Sequence, residues 1–240
     1  NGNVIGSDET GVIMSGGRIV NNKSASSTYP HGGGGIYVAK GAFEMLGGEI
    51  TGNTATRQGG GVFVHWGEAR FTASGYSTIT GNDGVGSSKA ICNRGKTELM
   101  GNARADRVYV WNYDDDGPTY STANNQSFTL AENAQVAGIV LAWSAENANV
   151  ITIADTFEGT NTICLIDLES HLDSGGHFAG QLEPDWLGKK IITGTSSVIS
   201  KDVVLGRLPL NSFTGSPSVY NMGNNYKIDV AATEGTFKKK

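Results

Sequence analysis

Over its first hundred residues the chain alternates apolar and polar positions in runs of only three or four. Ile36 and Val38 flank Tyr37, Phe43 and Met45 flank Glu44, and Phe71 and Ala73 flank Thr72. A period of two is the mark of a strand that buries one face, so the first residues of each set point inward and Tyr37, Glu44, Phe63 and Thr72 point out. Gly-Gly or Gly-Asn pairs stand between the runs and supply the positive φ that a tight corner needs. No segment sustains an i, i+3, i+4, i+7 stripe, because Gly, Thr, Asn and β-branched residues interrupt each candidate helix. The pattern predicts an all-β chain written as strand, corner, strand, corner.

The phrases also repeat. GGGIYV at Gly33 returns as GGGVFV at Gly59, 26 residues on, and MSGGRIVNN at Met14 returns as MLGGEITGN at Met45, 31 residues on. A drifting period places insertions at corners. Alignment of the copies puts Val12, Phe43 and Phe71 in one column, Met14, Met45 and Ala73 in a second, and Ile19, Ile50 and Ile79 in a third. One such unit cannot bury its apolar face, whereas a neighbour stacked about 4.8 Å away pairs its backbone and covers its side chains. Asn22, Asn53 and Asn82 fall at the same corner of successive copies, where they form either an amide ladder or ordinary turn residues.

The same alignment lays Ala90 and Cys92 over Val62 and Val64, and Thr97 and Leu99 over Phe71 and Ala73, which sends Cys92 into the core. RVYVWN follows with Val108 and Val110 inward and Tyr109 and Trp111 outward, and there the Gly-rich phrase has decayed. Phe128, Leu130, Ile139, Leu141, Ile151 and Ile153 keep the alternation. Residues 1–170 are therefore expected to be coils. Residues 171–240, where the period is lost, form an irregular C-terminal capping section of the same body, with strand text near Val203, Val204 and Leu205.

Composition narrows the class without changing this picture. With 240 residues, 35 Gly against 5 Pro, 38% hydrophobic and 17% charged residues, the chain is neither collagen-like nor a charged disordered segment. A formal charge of -5 with no sustained basic run argues against nucleic acid and against an anionic membrane. No apolar run approaches the roughly 18 residues of a membrane span. The chain opens on Asn1 with no signal-peptide pattern, which reads as a mature or excised segment. Cys92 and Cys164 are expected to be separate buried thiols.

GGGIYV, GGGVFV, GGEITGN and STITGN resemble the Gly-Gly-apolar and Ile-Ser/Thr-Gly-Asn repeats of right-handed parallel β-helices in secreted and cell-surface bacterial proteins, among them autotransporter passengers and polymorphic outer-membrane proteins. SFTLAENAQVAGIVLA is similar to a phrase that follows such repeats in surface proteins of host-associated bacteria. The tetrapeptide that polymorphic outer-membrane proteins carry as Phe-x-x-Asn reads FEML and FTAS here. The resemblance spans roughly Val12 to Leu168. It implies a right-handed, pectin-lyase-like solenoid working at the cell surface or outside the cell, as an adhesin or stalk that binds carbohydrate or a host surface protein.

Enzymes of that architecture need carboxylates in register on one outward face, as a pair for hydrolysis or a Ca²⁺-bound set with a base for elimination. The alignment sets Glu44 beside Thr72, and Glu49 beside Arg18 and Thr78, so the repeats hold no acidic column and a non-catalytic scaffold is the favoured reading. The one acidic cluster is WNYDDDGPTY. Asp114, Asp115 and Asp116, framed by Trp111, Tyr113 and Tyr120, use the vocabulary of sugar binding, and three close carboxylates could hold Ca²⁺, although EF-hand spacing is absent. A solvated turn is the plainer reading of the same residues. The alternative function, a polysaccharide lyase or hydrolase, would draw on Asp114 to Asp116 with Asp106 or Arg107. His31, His65, His171 and His177 lack metal-ligand spacing, and no G-x-S-x-G elbow occurs. Outward Thr51, Thr78 and Thr80 suggest a flat threonine array of the ice-binding kind, which Glu49, Arg18 and Val20 interrupt.

Overall fold

The computed structural model describes residues 11–25, 32–65, 67–84, 89–110, 126–141, 150–158, 188 and 190–194, and the strands within 164–168, 203–205, 226–231 and 234–239. The first coil holds β1 (Val12–Met14), β2 (Arg18–Val20) and β3 (Lys23–Ser24), and the second β4 (Ile36–Val38), β5 (Ala42–Met45), β6 (Glu49–Thr51) and β7 (Thr54–Ala55). Then come β8 (Val62–Val64), β9 (Arg70–Ala73), β10 (Thr78–Thr80), β11 (Ile91–Asn93), β12 (Lys96–Leu99) and β13 (Arg104–Val110). The remainder are β14 (Ser127–Leu130), β15 (Gln135–Leu141), β16 (Ile151–Ile153), β17 (Cys164–Leu168), β18 (Lys190–Thr193), β19 (Val203–Leu205), β20 (Tyr226–Ala231) and β21 (Glu234–Lys239). All described elements are strands, and those from β1 to β19 stack in parallel as a β-solenoid of about 4 turns.

Two large sheets enclose the core. One has nine strands in the order β1-β5-β9-β12-β14-β16-β18-β21-β20. The other contains β19-β17-β15-β13-β10-β6-β2, with β4, β8 and β11 stacked alongside and joined to it through β13. The columns read from sequence are the registers observed: Val12 pairs with Phe43 and Phe43 with Phe71, Met14 with Met45 and Met45 with Ala73, Ile19 with Ile50 and Ile50 with Ile79. Phe43 and Phe71 stack with ring centroids 6.0 Å apart. Met45, Ile50, Phe71, Ile79, Leu99, Phe128 and Ile139 are fully buried in one continuous core. A residue's neighbours in space thus lie a whole coil away in sequence.

One expected register is corrected. Ile91 and Asn93, rather than Ala90 and Cys92, lie over Val62 and Val64, while Cys92 pairs with Phe63. The slip by one residue turns Cys92 from the core to the opposite face of the strand. Asn93 takes the inward place because its amide is satisfied there: Thr97 Oγ1 donates to Asn93 Oδ1 at 2.9 Å, and Asn93 Nδ2 donates to the Ser127 carbonyl at 2.9 Å. Cys92 is buried between Phe63 and Tyr109. Cys164 lies on β17, where only the backbone is described.

The corner after β2, β6 and β10 is built as an amide ladder. Asn22 N–H and Nδ2 donate to Asn53 Oδ1 at 2.9 and 3.0 Å, and Asn53 N–H and Nδ2 donate to Asn82 Oδ1, both at 3.0 Å. Asn53 Nδ2 also meets the carbonyls of Ile19 and Thr51, as Asn82 Nδ2 meets those of Ile50 and Thr80. The residue before each ladder amide is left-handed, with φ of 57° at Asn21, 66° at Gly52 and 64° at Gly81. The GGG phrase packs against this ladder. A Cβ on Gly61 would lie 2.9 Å from Asn82 Nδ2 and 2.6 Å from the Ala90 carbonyl oxygen, so side-chain-free backbone is what lets the next strand approach the amides.

From β13 onward this corner is gone. Arg104 and Ala105 pair with Thr78 and Ile79 of β10, while Val108 to Val110 pair with β11, so one strand bridges two that are separated by a corner in the coil beneath. β15 repeats the span. The stack runs past the point where the sequence period fades, since β18 pairs in parallel with β16 and β19 with β17. β20 and β21 then form an antiparallel hairpin laid on β18, ending the nine-stranded sheet.

Replacing Asn53 by Ala strips five hydrogen bonds from a fully buried amide, and a cost of about 2–4 kcal/mol is expected. Asn22→Ala, at the exposed end of the ladder, is expected to cost less than about 1 kcal/mol. Urea unfolding midpoints measure both, and equal losses would mean that turn preference alone selects Asn here. Gly61→Ala should be strongly destabilising in the same experiment. Gly47→Ala should be close to neutral, because its nearest new contact is 3.4 Å away.

Candidate functional site

In the nine-stranded sheet β9, β12, β14 and β16 bury alternate residues, so the others form columns on an outward face. One column runs Ala42, Arg70, Lys96, Ser127 and the next Glu44, Thr72, Glu98, Thr129, Thr152, Thr193. Parallel register holds successive members about 4.8 Å apart. Arg70 is exposed, and Glu44, Thr72, Lys96, Glu98, Ser127, Thr129 and Thr152 are half-buried. Arg70 and Lys96 stand on adjacent rungs, with Glu44, Thr72 and Glu98 in the neighbouring column. The result is a strip in which Arg70 and Lys96 run beside the Glu and Thr column, with a spacing set by backbone, not by flexible loops.

Three other outward carboxylates are held by the scaffold. Asp106 Oδ2 accepts the Gly81 N–H at 2.6 Å, Glu132 Oε2 accepts the Gly101 N–H at 2.7 Å, and Glu49 pairs with Arg18 Nε at 2.8 Å. Asp106 is thus held at a corner. Arg107 is half-buried on β13 opposite Gly138 of β15. Glu44 lies beside Thr72 and Glu49 beside Arg18 and Thr78, as the repeats imply, but Glu98 completes a Glu-Thr-Glu column that pairwise reading missed. The signal was present in the same alignment, because Thr97 over Phe71 already sets Glu98 over Thr72.

At the edge of this face, the corner leading from β8 to β9 and from β11 to β12 carries His65 and Arg94. His65 N–H donates to the Val38 carbonyl and Arg94 N–H to the Val64 carbonyl, both at 2.9 Å, so the two stand on successive rungs. Both side chains are buried. Tyr37 stacks on Phe63 with centroids 5.4 Å apart, and His65 meets both rings edge-on at 5.7 and 5.9 Å. Phe63 points away from the core, as the alternation predicts, yet is fully buried. Burial, with the Arg94 guanidinium adding to it, pushes the His65 pKa from 6.5 down to about 4.

Trp111, Tyr113, Asp114, Asp115, Asp116 and Tyr120 lie outside the described residues, as do His31, His171 and His177. The flanking residues are placed: Val110 pairs with Asn93, next to Arg94, and Ser127 N–H donates to the Gly95 carbonyl at 3.0 Å. Among the described residues no group of three His, Cys, Asp or Glu side chains is arranged to hold a metal, and no helix is long and apolar enough to cross a membrane. Comparison with family models, with curated proteins and with solved structures gave no significant match.

The His65 environment has a pH consequence. Because its folded-state pKa is depressed to about 4, the neutral form stabilises the fold above the ordinary value of 6.5. As pH falls from 6.5 towards 4 the unfolded chain takes up a proton that the folded chain refuses, and about 3 kcal/mol is expected to be lost. Urea titrations at pH 7 and pH 4.5 should show the wild-type chain losing more stability than His65→Gln, whose side chain does not titrate. Equal losses in the two proteins would remove His65 from the pH response.

Proposed function

We propose that this chain is a non-catalytic solenoid scaffold of the pectin-lyase-like kind, secreted or held at a cell surface, that binds carbohydrate or a host surface protein. The observation that carries the reading is the outward strip of Arg70, Lys96, Glu44, Glu98, Thr72 and Thr129, whose members repeat at the rung spacing. A polymer bearing hydroxyl or charged groups at regular intervals finds donors and acceptors at regular intervals, with little ordering cost because the strands are already fixed. The segment of Trp111, Tyr113, Asp114, Asp115, Asp116 and Tyr120 contributes a second candidate contact, since its flanks rise from the neighbouring corner at Asn93 and Gly95.

A hydrolase reading rests on one specific observation. Glu44 and Glu98 stand two rungs apart in one column, a separation of about 9.6 Å at the backbone, close to the wide end of the carboxylate spacing used for inverting glycoside hydrolysis. Thr72 occupies the intervening rung on the same open face.

Glycan-array binding by the wild-type chain and by the Arg70→Ala, Lys96→Ala double variant tests the proposal. Loss of charge-assisted hydrogen bonds worth about 1.5–3 kcal/mol each should weaken binding tenfold or more. Binding that survives the double variant but fails in Trp111→Ala or Asp115→Ala would move the site to the corner segment, and binding indifferent to all four changes would reject both locations. Sugar release from a bound glycan, abolished by Glu44→Gln or Glu98→Gln, would replace the scaffold reading with the enzyme.

A further inference from the structure

The corner that leads from the nine-stranded sheet into β6, β10, β13 and β15 is itself a stack of turns. Between β5 and β6 it has three residues, 46–48, and in the next coils four, 74–77, 100–103 and 131–134, all of them described. The four-residue form is the same turn each time. Ser77 N–H donates to the Ser74 carbonyl at 3.2 Å, Ala103 N–H to that of Met100 at 3.1 Å and Ala134 N–H to that of Ala131 at 3.2 Å. The second residue is left-handed, with φ of 57° at Gly75, 61° at Gly101 and 54° at Glu132. Asn102 N–H donates to the Gly75 carbonyl at 2.8 Å and Asn133 N–H to the Gly101 carbonyl at 3.0 Å. These bonds set Tyr76, Asn102 and Asn133 in one column, about 4.8 Å from rung to rung.

The fold uses the fourth residue of each turn and leaves the third unused. Ser77, Ala103 and Ala134 are buried, whereas Tyr76 is 82% exposed, Asn102 is exposed and Asn133 half-buried. Asn22, Asn53 and Asn82 bond one another, but the side chains of Asn102 and Asn133 bond no described residue, and neither does the Tyr76 hydroxyl. Gly75 and Gly101 place no side chain beside the ring and the first amide. Glu132 is engaged with the Gly101 N–H, and Arg104 belongs to the next column, with Thr78 and Gln135. The column is therefore an aromatic ring followed by two uncharged amides at rung spacing. A tyrosine ring in water offers an apolar face. An amide both donates and accepts, as a sugar hydroxyl does, whereas a carboxylate or sulfate calls for a cation, and this column holds none.

We infer that Tyr76, Asn102 and Asn133 form a subsite for an uncharged sugar, whose C–H face stacks on the Tyr76 ring while its hydroxyls bond the two amides. The inference rests on the carbohydrate reading above and adds to it a site apart from Arg70 and Lys96. To test it, the chain is titrated with neutral oligomers of glucose, mannose, galactose and N-acetylglucosamine, and separately with uronic-acid oligomers. The Tyr76 ring and the Asn102 and Asn133 side-chain amides are followed by NMR. A neutral oligomer is expected to shift all three signals. Tyr76→Ala should weaken its binding about two- to tenfold, and the Asn102→Ala, Asn133→Ala double variant about tenfold or more. Tyr76→Phe, which keeps the ring, should retain most of it. Urea midpoints confirm that the variants fold. Neutral oligomers that bind without moving these signals, or equally well in the Tyr76→Ala and double Asn variants, overturn the subsite. If only the uronic-acid oligomers bind, the subsite is overturned and the carbohydrate reading stands. Binding of neither class overturns the subsite together with the carbohydrate reading.

Discussion

Parallel pairing in strict register is the constraint on which everything else in this molecule depends. Each strand finds its partner one coil away, so the backbone places like position over like position and turns a loosely repeated sequence into columns. Inward columns become the core because Phe43 stacks on Phe71 and Met45 on Ala73. Outward columns become a surface with equally fixed spacing, and the strip of Arg70, Lys96, Glu44 and Glu98 owes its regularity to the same hydrogen bonds that bury Phe71. Fold and candidate site are two faces of one set of strands, since a one-residue slip would exchange them.

The upstream coils add a second device, in which amides and glycines depend on each other. A buried amide must find partners for both donors and its acceptor, and Asn53 does so only because Ile19, Thr51 and Asn82 stand at the right rungs. That stacking leaves no room for a side chain at Gly35 or Gly61, where an added Cβ would lie 3.1 Å from the Asn53 amide or 2.9 Å from the Asn82 amide, while Gly33 and Gly59 hold a positive φ of 68°. Glycine there costs conformational entropy. The satisfied ladder offsets it.

Much of this could be read from the residues. The columns of Val12, Met14 and Ile19 were legible because a period of two and a repeated phrase point to the same register. The ladder was legible as a column of Asn22, Asn53 and Asn82, though not its bonding, since turns favour Asn for other reasons. Cys92 was misplaced because Ala90 and Cys92 satisfy a rule that looks for small apolar residues inside, whereas the true inward residue, Asn93, is polar and is balanced by Thr97 and the Ser127 carbonyl. Phe63 shows a related limit: alternation gives the direction of a side chain, not what lies over it. The fading of the Gly-rich phrase near RVYVWN was visible, and its cause, loss of the ladder corner at β13, was not.

That loss divides the molecule mechanically. Upstream, β10 and β11 are separate short strands that meet across a corner. At β13 and β15 an unbroken seven-residue strand spans what had been two sides, which acts as a strut across the wall. Strain between those two sides is therefore carried by unbroken backbone in β13 and β15, and by the corner residues in the coils before Arg104.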